Sequence, residues 1–465
     1  MHKKNKCLTK KRITAIPLQP KGWSSLAEII MDNIITLEGK YCKDCKIFTN
    51  NVEEEAIQMI YNIVNHPTFE NSKIRIMPDV HAGMGITIGF TAPLTDYVSP
   101  SHVGCDIGCM MSSMIFENKL DEKDYIEVEH KINKAVPSGF DIHKKRIFDM
   151  KDFIKFMNKH MHKAHSCWSE MTEYVDVDEK YIDKMLKRIG MEASVFYKSL
   201  GTVGSGNHFQ EYGEFENGSA WTVHCGSRNF GVKVFKYWDK MSNKPYDSAL
   251  LKTKINDLKK NVNDKRELPK LIEALTNEFK KKNPNGYLNG DKMKGYITDM
   301  FFAQGYAEYN HKLICDIVYD ILRKYGLKLK ETIKTTHNYI SPIDHMIRKG
   351  AVASYEGEKL IIPFNMRDGL AICIGKSNDE WNCSAPHGAG RIMSRGKAKH
   401  NVSLEEYKQS MEGVYSTSIC HGTLDESPMV YKNFKEILDL ITPTVDVLYL
   451  IKPKINIKAS EGNDE

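Results

Sequence analysis

The stretch Ser384-Ala385-Pro386-His387-Gly388-Ala389-Gly390-Arg391 sets one histidine ahead of two glycines and an arginine. Glycine lets a backbone come close to a bulky anion, because no Cβ stands in the way. Arginine presents a planar fork of donors that matches phosphate oxygens. The histidine between them is the one nucleophile of the stretch that is ready near neutral pH. Alone, the stretch also reads as a tight turn around a hydrogen-bonded histidine. Its company argues for chemistry, and the same company bears on the fold. Chemically capable residues are spread from Asp79 to Lys458, several of them in glycine-rich settings, so most of the chain must fold back onto one site.

Five further segments place a metal-capable or nucleophilic side chain beside glycine or asparagine. They are Met77-Pro78-Asp79-Val80-His81-Ala82-Gly83-Met84-Gly85, Val103-Gly104-Cys105-Asp106-Ile107-Gly108-Cys109, the run GTVGSGNHFQE from Gly201 to Glu211, Val223-His224-Cys225-Gly226-Ser227-Arg228, and Thr336-His337-Asn338-Tyr339. Asp106 and Cys109 reach one ion if the chain turns between them, and His208, His224 and His337 add imidazoles. A carboxylate, a thiolate and three imidazoles exceed the needs of one tetrahedral site. With the thiolate bridging, they suit two divalent ions. Arg228, Arg391 and Arg395 around such a pair make a cationic pocket suited to phosphoryl or nucleotidyl transfer, and glycine-rich backbone supplies N–H groups to phosphate oxygens. No GxxxxGK[ST] occurs, which sets aside a P-loop kinase or ATPase. Cys and His ligands favour zinc over manganese on affinity alone, so ligand type leaves the metal open. Cys42 and Cys45 form a CxxC pair without a second pair at matching spacing, so a zinc knuckle is not expected.

Residues 53–64 carry the 3.6-residue apolar period of a helix, and Lys73 to Met77 reads as a strand running into Pro78-Asp79-Val80-His81. Helices are expected over Asp121 to Ala135, over the polar stretch Lys151 to Lys198, and over the lysine-rich Ser248 to Lys282. Glycine-rich β character spans Gly201 to Val234. Tyr296 to Tyr325 reads as a long amphipathic helix, Ile333 to Ile374 as β-rich, and Asp446 to Ile457 as a final strand. Strand and helix groups are segregated rather than alternating, which predicts an α+β fold.

With 41% hydrophobic and 27% charged residues in 465, the composition excludes wholesale disorder. A net charge of +6 is too mild to argue nucleic-acid binding by itself. Its distribution is uneven: Lys3, Lys4, Lys6, Lys10, Lys11 and Arg12 crowd one end, and a second run includes Lys252, Lys254, Lys259, Lys260, Lys265, Arg266, Lys270 and Lys280 to Lys282. Such clusters can contact phosphates, but Asp257, Asp264, Glu267, Glu273 and Glu278 are interleaved in the second, which reads better as a solvated helix face. No apolar run is long enough to cross a membrane, and the basic N-terminus lacks the apolar core of a secretory signal, so a cytoplasmic location is expected. Eleven scattered cysteines are an odd number and do not form a disulfide framework.

The segments MPDVHAGMG, D-x-x-C within CDIGC, GTVGSGNHFQE, VHCGSR, THNY, IRKGA and HGAGRIMSR, in this order from Met77 onward, resemble those of the RtcB RNA-splicing ligase family. The resemblance implies one large α+β catalytic domain over 38–465, with β-sheets around a dinuclear metal cleft, a basic lead-in at 1–37 and a lysine-rich helical insertion at about 248–295. It implies joining of RNA 2′,3′-cyclic phosphate or 3′-phosphate ends to 5′-hydroxyl ends, in RNA repair or tRNA splicing, with GTP and two manganese ions. His387 would take GMP. Asp106, Cys109 and His208 would hold one ion, and Cys109, His224 and His337 the other. Asn207, His208, Phe209, Gln210, Glu211, His337, Asn338, Gly388, Ala389, Gly390 and Lys458 would contact the nucleotide, and Arg228, Arg391 and Arg395 the phosphates. The family-based expectation is a monomer that binds RNA and no membrane, with an archease-like activating protein as a further candidate partner.

The chain departs from the family in the segment before the histidine loop. Where the family has PGSMG, this sequence reads Pro363-Phe364-Asn365-Met366-Arg367, and Leu370 replaces a serine. Phe and Arg cannot follow a glycine's close backbone path as easily. These changes touch the nucleotide pocket rather than the metals. The main alternative is therefore a two-metal RNA phosphoesterase that has lost nucleotidyl transfer, which the intact HGAGR argues against. A non-catalytic RNA-binding protein would not need the full set of metal-ligand candidates.

Overall fold

The computed structural model describes residues 29–31, 33–243, 248–262, 267–282 and 286–459. Its strands begin with β1 (Ile29–Met31), β2 (Ile34–Leu37), β3 (Asp44–Ile47), β4 (Lys73–His81), β5 (Ile88–Pro93), β6 (Met110–Phe116), β7 (Phe209–Phe215) and β8 (Gly218–Cys225). They continue as β9 (Leu329–Thr336), β10 (Asn338–Ile340), β11 (Met346–Lys349), β12 (Ala351–Ala353), β13 (Lys359–Asn365), β14 (Gly369–Gly375), β15 (Ser384–Pro386) and β16 (Val445–Ile457). One seven-stranded sheet has the order β1-β2-β3-β4-β5-β11-β10, a second runs β13-β14-β16-β7-β8-β6-β9, and β12 pairs with β15. With helices packed about two mostly antiparallel sheets, the fold is α+β, as its segregated pattern predicts. β3 and β4 alone run parallel in the first sheet, and the helix Glu54–Val64 makes the crossover that such a pair requires.

β4 is buried from Ile74 through Val80, on both faces, which is the condition of a strand covered on two sides. Its interior Pro78 has no N–H to give to the ladder. Pairing with β5 accordingly slips between Ile76 and His81, and this irregularity frees the strand end that carries Asp79.

Several local expectations change in the structure. The β-rich stretch expected to reach Val234 ends at Cys225, because Arg228–Ser242 is a helix with Phe230, Val234, Phe235 and Trp238 on its buried face. Glycine and serine at its start hide a helical period that begins only at Phe230. The polar stretch 151–198 divides into helices Met150–Cys167, Glu179–Ile189 and Ala193–Lys198. The helix expected from Tyr296 begins at Gly290, and it is buried around most of its girth rather than two-faced, enclosing Thr298, Asp299, Asn310 and His311. It lies against β6, β8 and the helix Met150–Cys167, and a helix covered on all sides needs no apolar stripe.

β1 and β2 pair within the segment read as a lead-in, while the basic cluster from Lys3 to Arg12 lies outside the described residues. Helices Ser248–Asn261 and Leu268–Lys282 pack on each other, with Lys252, Lys254, Lys259, Lys260 and Lys270 exposed; Lys265 and Arg266 lie outside the described residues, as do the side chains of 280–282. Cys42 and Cys45 are buried in the main apolar cluster, and the Cys42 thiol donates to the Ser72 carbonyl at 3.1 Å. Among the described residues no helix is long and apolar enough to cross a membrane.

Candidate functional site

Antiparallel register brings the metal-capable residues to one end of the second sheet. Cys109 immediately precedes β6, His208 precedes β7, His224 lies at the end of β8, and His337 follows β9. Met110 pairs with Cys225 and with Thr336, and Phe209 with His224. Ile457 pairs with Gln210, so Lys458 emerges at this same end. His337 has a second topological role: the chain leaves the second sheet as β9 and enters the first as β10 across this single residue.

Cys109, His224 and His337 form one donor group and Asp106, Cys109 and His208 another, each with its donor atoms within 4.8 Å of one another. Cys109 Sγ lies 3.4 Å from His208 Nε2 and 3.3 Å from His224 Nε2. His224 Nε2 faces His337 Nε2 at 3.3 Å, and His208 Nε2 faces Asp106 Oδ2 at 2.9 Å. Burial pushes the Cys109 thiol well up, and holds the His224 and His337 imidazoles well below their usual range. Burial works against charge on Asp106, but His208 beside it brings its carboxyl down to about 2. The buried imidazoles of His224 and His337, the Cys109 thiol, the Asp106 carboxylate and His208 thus converge on one another, an arrangement whose cost divalent cations would offset. The donor set fits a pair of such ions sharing Cys109.

Small and polar neighbours set this geometry. A Cβ at Gly226 would run into the Asp106 carboxylate, so only glycine leaves room for that ligand. The Asn338 side chain donates to the Asp106 carbonyl at 3.2 Å and accepts from the Gly350 N–H at 2.9 Å. Asn338, read from sequence as a nucleotide contact, is thus placed as a clamp on the Asp106 loop. On the far side, the Asn310 side-chain oxygen accepts from Gly201 and Thr202 N–H groups at 2.6 and 3.2 Å, which fixes the start of the loop carrying His208.

The histidine loop enters from the small ribbon, where Ala351 pairs with Pro386. His387 Nδ1 lies 2.6 Å from Asp79 Oδ2, and the His387 backbone N–H donates to the same oxygen at 3.2 Å. A carboxylate only accepts, so Nδ1 is the donor of this contact, and in the neutral ring the lone pair then sits on Nε2. The His387 ring centre is 4.9 Å from that of His337. Gly390 has φ +78°, and a Cβ there would strike the Asp79 backbone, so its glycine is required twice over. Buried Lys432 ties the pieces together. Its ammonium donates to the carbonyls of Pro78 and Val80 at 3.0 and 3.1 Å, and its N–H to that of Gly390 at 3.0 Å.

A cleft of about 590 Å³ opens over His387 and His224, and its lining includes Asn207, Phe209, Glu211 and Lys458. Pro363, Phe364, Asn365, Met366, Gly388, Ala389, Gly390, Arg391 and Arg395 line it as well. Arg367 turns aside onto Asp368, with Nε 2.8 Å from Oδ1. Burial raises the Glu211 carboxyl to about 8, and one of its oxygens accepts from Asn456 at 2.9 Å. Glu426 gathers the cations: its carboxylate lies 3.0 Å from Lys458 Nζ, 2.7 Å from Arg395 Nη1 and 3.3 Å from Arg391 Nη1. Burial opposes its charge, yet these three cations hold it down at about 2.

Other sequence-derived candidates sit elsewhere. Leu370 does not line the cleft, because its β14 side chain packs into an apolar cluster formed by strands of the second sheet, against which Phe209 also packs. Gln210 alternates with Phe209 and Glu211 along β7 and is buried away from the cleft. Arg228 does not reach the cleft: its guanidinium donates to Thr202 Oγ1 at 3.0 Å and the Gly139 carbonyl at 2.6 Å, behind His208. Asp79 stood in a quoted segment without a role, although a carboxylate two residues before a histidine in a glycine-rich run was a usable signal. Lys432, Glu426 and Asn310 carried no such signal.

An imidazole presented beside clustered metal-capable donors, in a nucleotide-sized cleft, is the make-up of an enzyme site. The family model described as tRNA-splicing ligase RtcB matches residues 59–459. The RNA-splicing ligase RtcB of Escherichia coli K12 is 28% identical over 425 residues, covering 88% of this chain and 95% of that protein. The tRNA-splicing ligase RtcB of Archaeoglobus fulgidus is 25% identical over 457 residues, covering 84% and 88%. The chain belongs to the RtcB family, and it is an RNA ligase.

Proposed function

We propose that this ligase joins RNA 3′-phosphate or 2′,3′-cyclic phosphate ends to 5′-hydroxyl ends at the expense of GTP, with manganese, in RNA repair or tRNA splicing. The observation that carries the reading is His387: its Nδ1 is pinned by Asp79, while among the described residues Nε2 has no hydrogen-bond partner and the ring stands beside the donor cluster. Nε2 attacks the α-phosphorus of GTP, a P–N bond forms, and pyrophosphate leaves. An RNA 3′-phosphate oxygen then takes the guanylyl group from His387. The RNA 5′-hydroxyl attacks the 3′-phosphorus, GMP leaves, and the 3′–5′ bond is made. A cyclic phosphate is first opened by water to the 3′-monophosphate.

Asp106, Cys109, His208, His224 and His337 would hold the two ions, whose contribution is to offset the charge of triphosphate and RNA phosphate brought together. Asp79, accepting from Nδ1, fixes the ring orientation and the tautomer of the neutral ring in which the Nε2 lone pair is presented. Gly388 and Gly390 let the backbone approach phosphate, while Arg391 and Arg395, held by Asp425 and Glu426, present fixed donors. Phe209, Glu211 and Lys458 form the end of the cleft suited to a purine, with the ammonium 5.8 Å from the Phe209 ring centre.

Incubation with α-labelled GTP and manganese tests the proposal. Wild type should gain an acid-labile label and His387→Ala should gain none. A wild type that opens cyclic phosphates but takes no label from GTP would favour the phosphoesterase instead.

A further inference from the structure

Between the helix Tyr125–Ala135 and the helix Met150–Cys167 the chain reads PSGFDIHKKR, residues 137–146, and its Phe140 is 88% exposed. Phe140 belongs to no apolar cluster and no ring pair among the described residues. A single exposed aromatic is unremarkable by itself; the support beneath this one is not. The Pro137 carbonyl accepts from Val203 N–H at 2.8 Å, Gly139 N–H donates to the Gly204 carbonyl at 3.3 Å, and His143 N–H donates to the Lys198 carbonyl at 3.1 Å. His143 Nε2 faces the Gly201 carbonyl at 3.0 Å, and Arg228 donates to the Gly139 carbonyl at 2.6 Å. A loop bound along its length to 198–204 thus holds an apolar ring out in water.

Its address is equally specific. Gly204 is packed between the His208 ring and the Arg228 guanidinium, so the loop borders the metal-capable donors. On its other side, a Cβ at Gly139 would lie 3.2 Å from Ala459 Cβ, next to Lys458 of the nucleotide cleft. Exposed Lys144, Lys145 and Arg146 follow. Neither lysine is ion-paired among the described residues, Arg146 lies over the Phe148 ring at 5.7 Å, and Asp141 is the one carboxylate of the segment.

We propose that Phe140 is a stacking platform for a base of the single-stranded RNA end entering the site, with Lys144, Lys145 and Arg146 receiving that strand's phosphates. The proposal rests on the RNA-joining reading above. Every base has a π-face, so an aromatic platform beside cations grips a strand without reading its sequence. The fixed loop has already lost the freedom that binding would otherwise remove.

The test is fluorescence anisotropy of a 5′-fluorescein oligouridylate bearing a 3′-phosphate, with manganese and without GTP, on the full chain. Phe140→Ala should weaken binding by roughly 5- to 150-fold, the range of one stacked base, while Phe140→Trp should hold it. Lys144→Gln with Lys145→Gln should flatten the slope of log affinity against log salt by about 1.4, at about 0.7 per lost phosphate contact. Equal thermal midpoints for Phe140→Ala and Phe140→Trp check that the loop is intact. Binding by Phe140→Ala within twofold of wild type overturns the proposal, as does a salt slope left unchanged by the double lysine substitution, which would mean that the strand's phosphates do not lie on this segment. Ligation by wild type is assayed separately. Oligonucleotide held through Phe140 without any joining would sink the joining reaction and leave the platform standing; joining with Phe140→Ala unaffected would do the reverse.

Discussion

Replacing Asp79 by asparagine probes the one contact on which the proposed nucleophile depends. The 2.6 Å contact between Asp79 Oδ2 and His387 Nδ1 is fully buried on the carboxylate side, where Asp79 is 0% exposed. A hydrogen bond to a charged group is worth about 1.5–3 kcal/mol. Lost from the transition state alone, that is roughly a 10- to 150-fold fall in rate. Asparagine does more than remove charge. Its amide can donate to Nδ1, which moves the imidazole proton to Nε2 and blocks attack; an analogous carboxylate-to-amide change in serine proteases costs about 10⁴-fold. Single-turnover transfer of label from α-labelled GTP should therefore slow by between about 10- and about 10⁴-fold in Asp79→Asn. Metal content and thermal midpoint should stay near wild type, because the substitution is nearly isosteric and the donor clusters do not include Asp79. Labelling within threefold of wild type, in a protein of unchanged metal content, would refute the assignment of Asp79 as the group that orients His387.

Three further outcomes are expected. Glu211, raised by burial to about 8 from the ordinary 4.5 of a solvated glutamate, holds its proton more tightly folded than unfolded; its contribution to stability is complete below about pH 4.5 and lost as pH rises through about 8. Urea unfolding of wild type against Glu211→Gln at pH 5, 7 and 9 should show wild type losing about 3–5 kcal/mol relative to the variant across that window, and a parallel pH profile would contradict it. Asn310→Ala leaves the buried Gly201 and Thr202 N–H groups without their acceptor and should cost about 2–4 kcal/mol in denaturant unfolding; a loss under about 0.5 kcal/mol would mean another group takes over. Manganese at about a hundredfold over its dissociation constant should stabilise the chelator-treated protein by about 2.7 kcal/mol, an effect that Cys109→Ser should largely abolish and that an unchanged response in that variant would exclude.

The sequence by itself determined the family, the RNA-ligase class and the class of fold. Cys109, His208, His337 and His387 were legible because each stands beside glycine or asparagine, and Asp106 and His224 because a glycine lies two positions away, in segments where loops come close to ligands; strands and helices were legible where periodicity separates them over short windows. Helix and strand limits failed where burial overrode the local pattern: the helix Gly290–Leu322 shows no clear polar face since it is enclosed on most sides, and Arg228–Ser242 begins in glycine- and serine-rich sequence that resembles the strand before it. What only the tertiary structure decided is convergence. Antiparallel register stacks the ends of β6, β7, β8 and β9, and the slip at Pro78 turns Asp79 toward a histidine 308 positions away in sequence. Lys432, Glu426 and Asn310 become visible only then, because a buried charge or amide is defined by the groups that surround it and these come from distant parts of the chain. Leu370, Gln210 and Arg228 look like pocket residues along the sequence, but the pleat turns Gln210 away from the cleft, Leu370 packs into an apolar cluster and Arg228 is drawn onto Thr202 and Gly139.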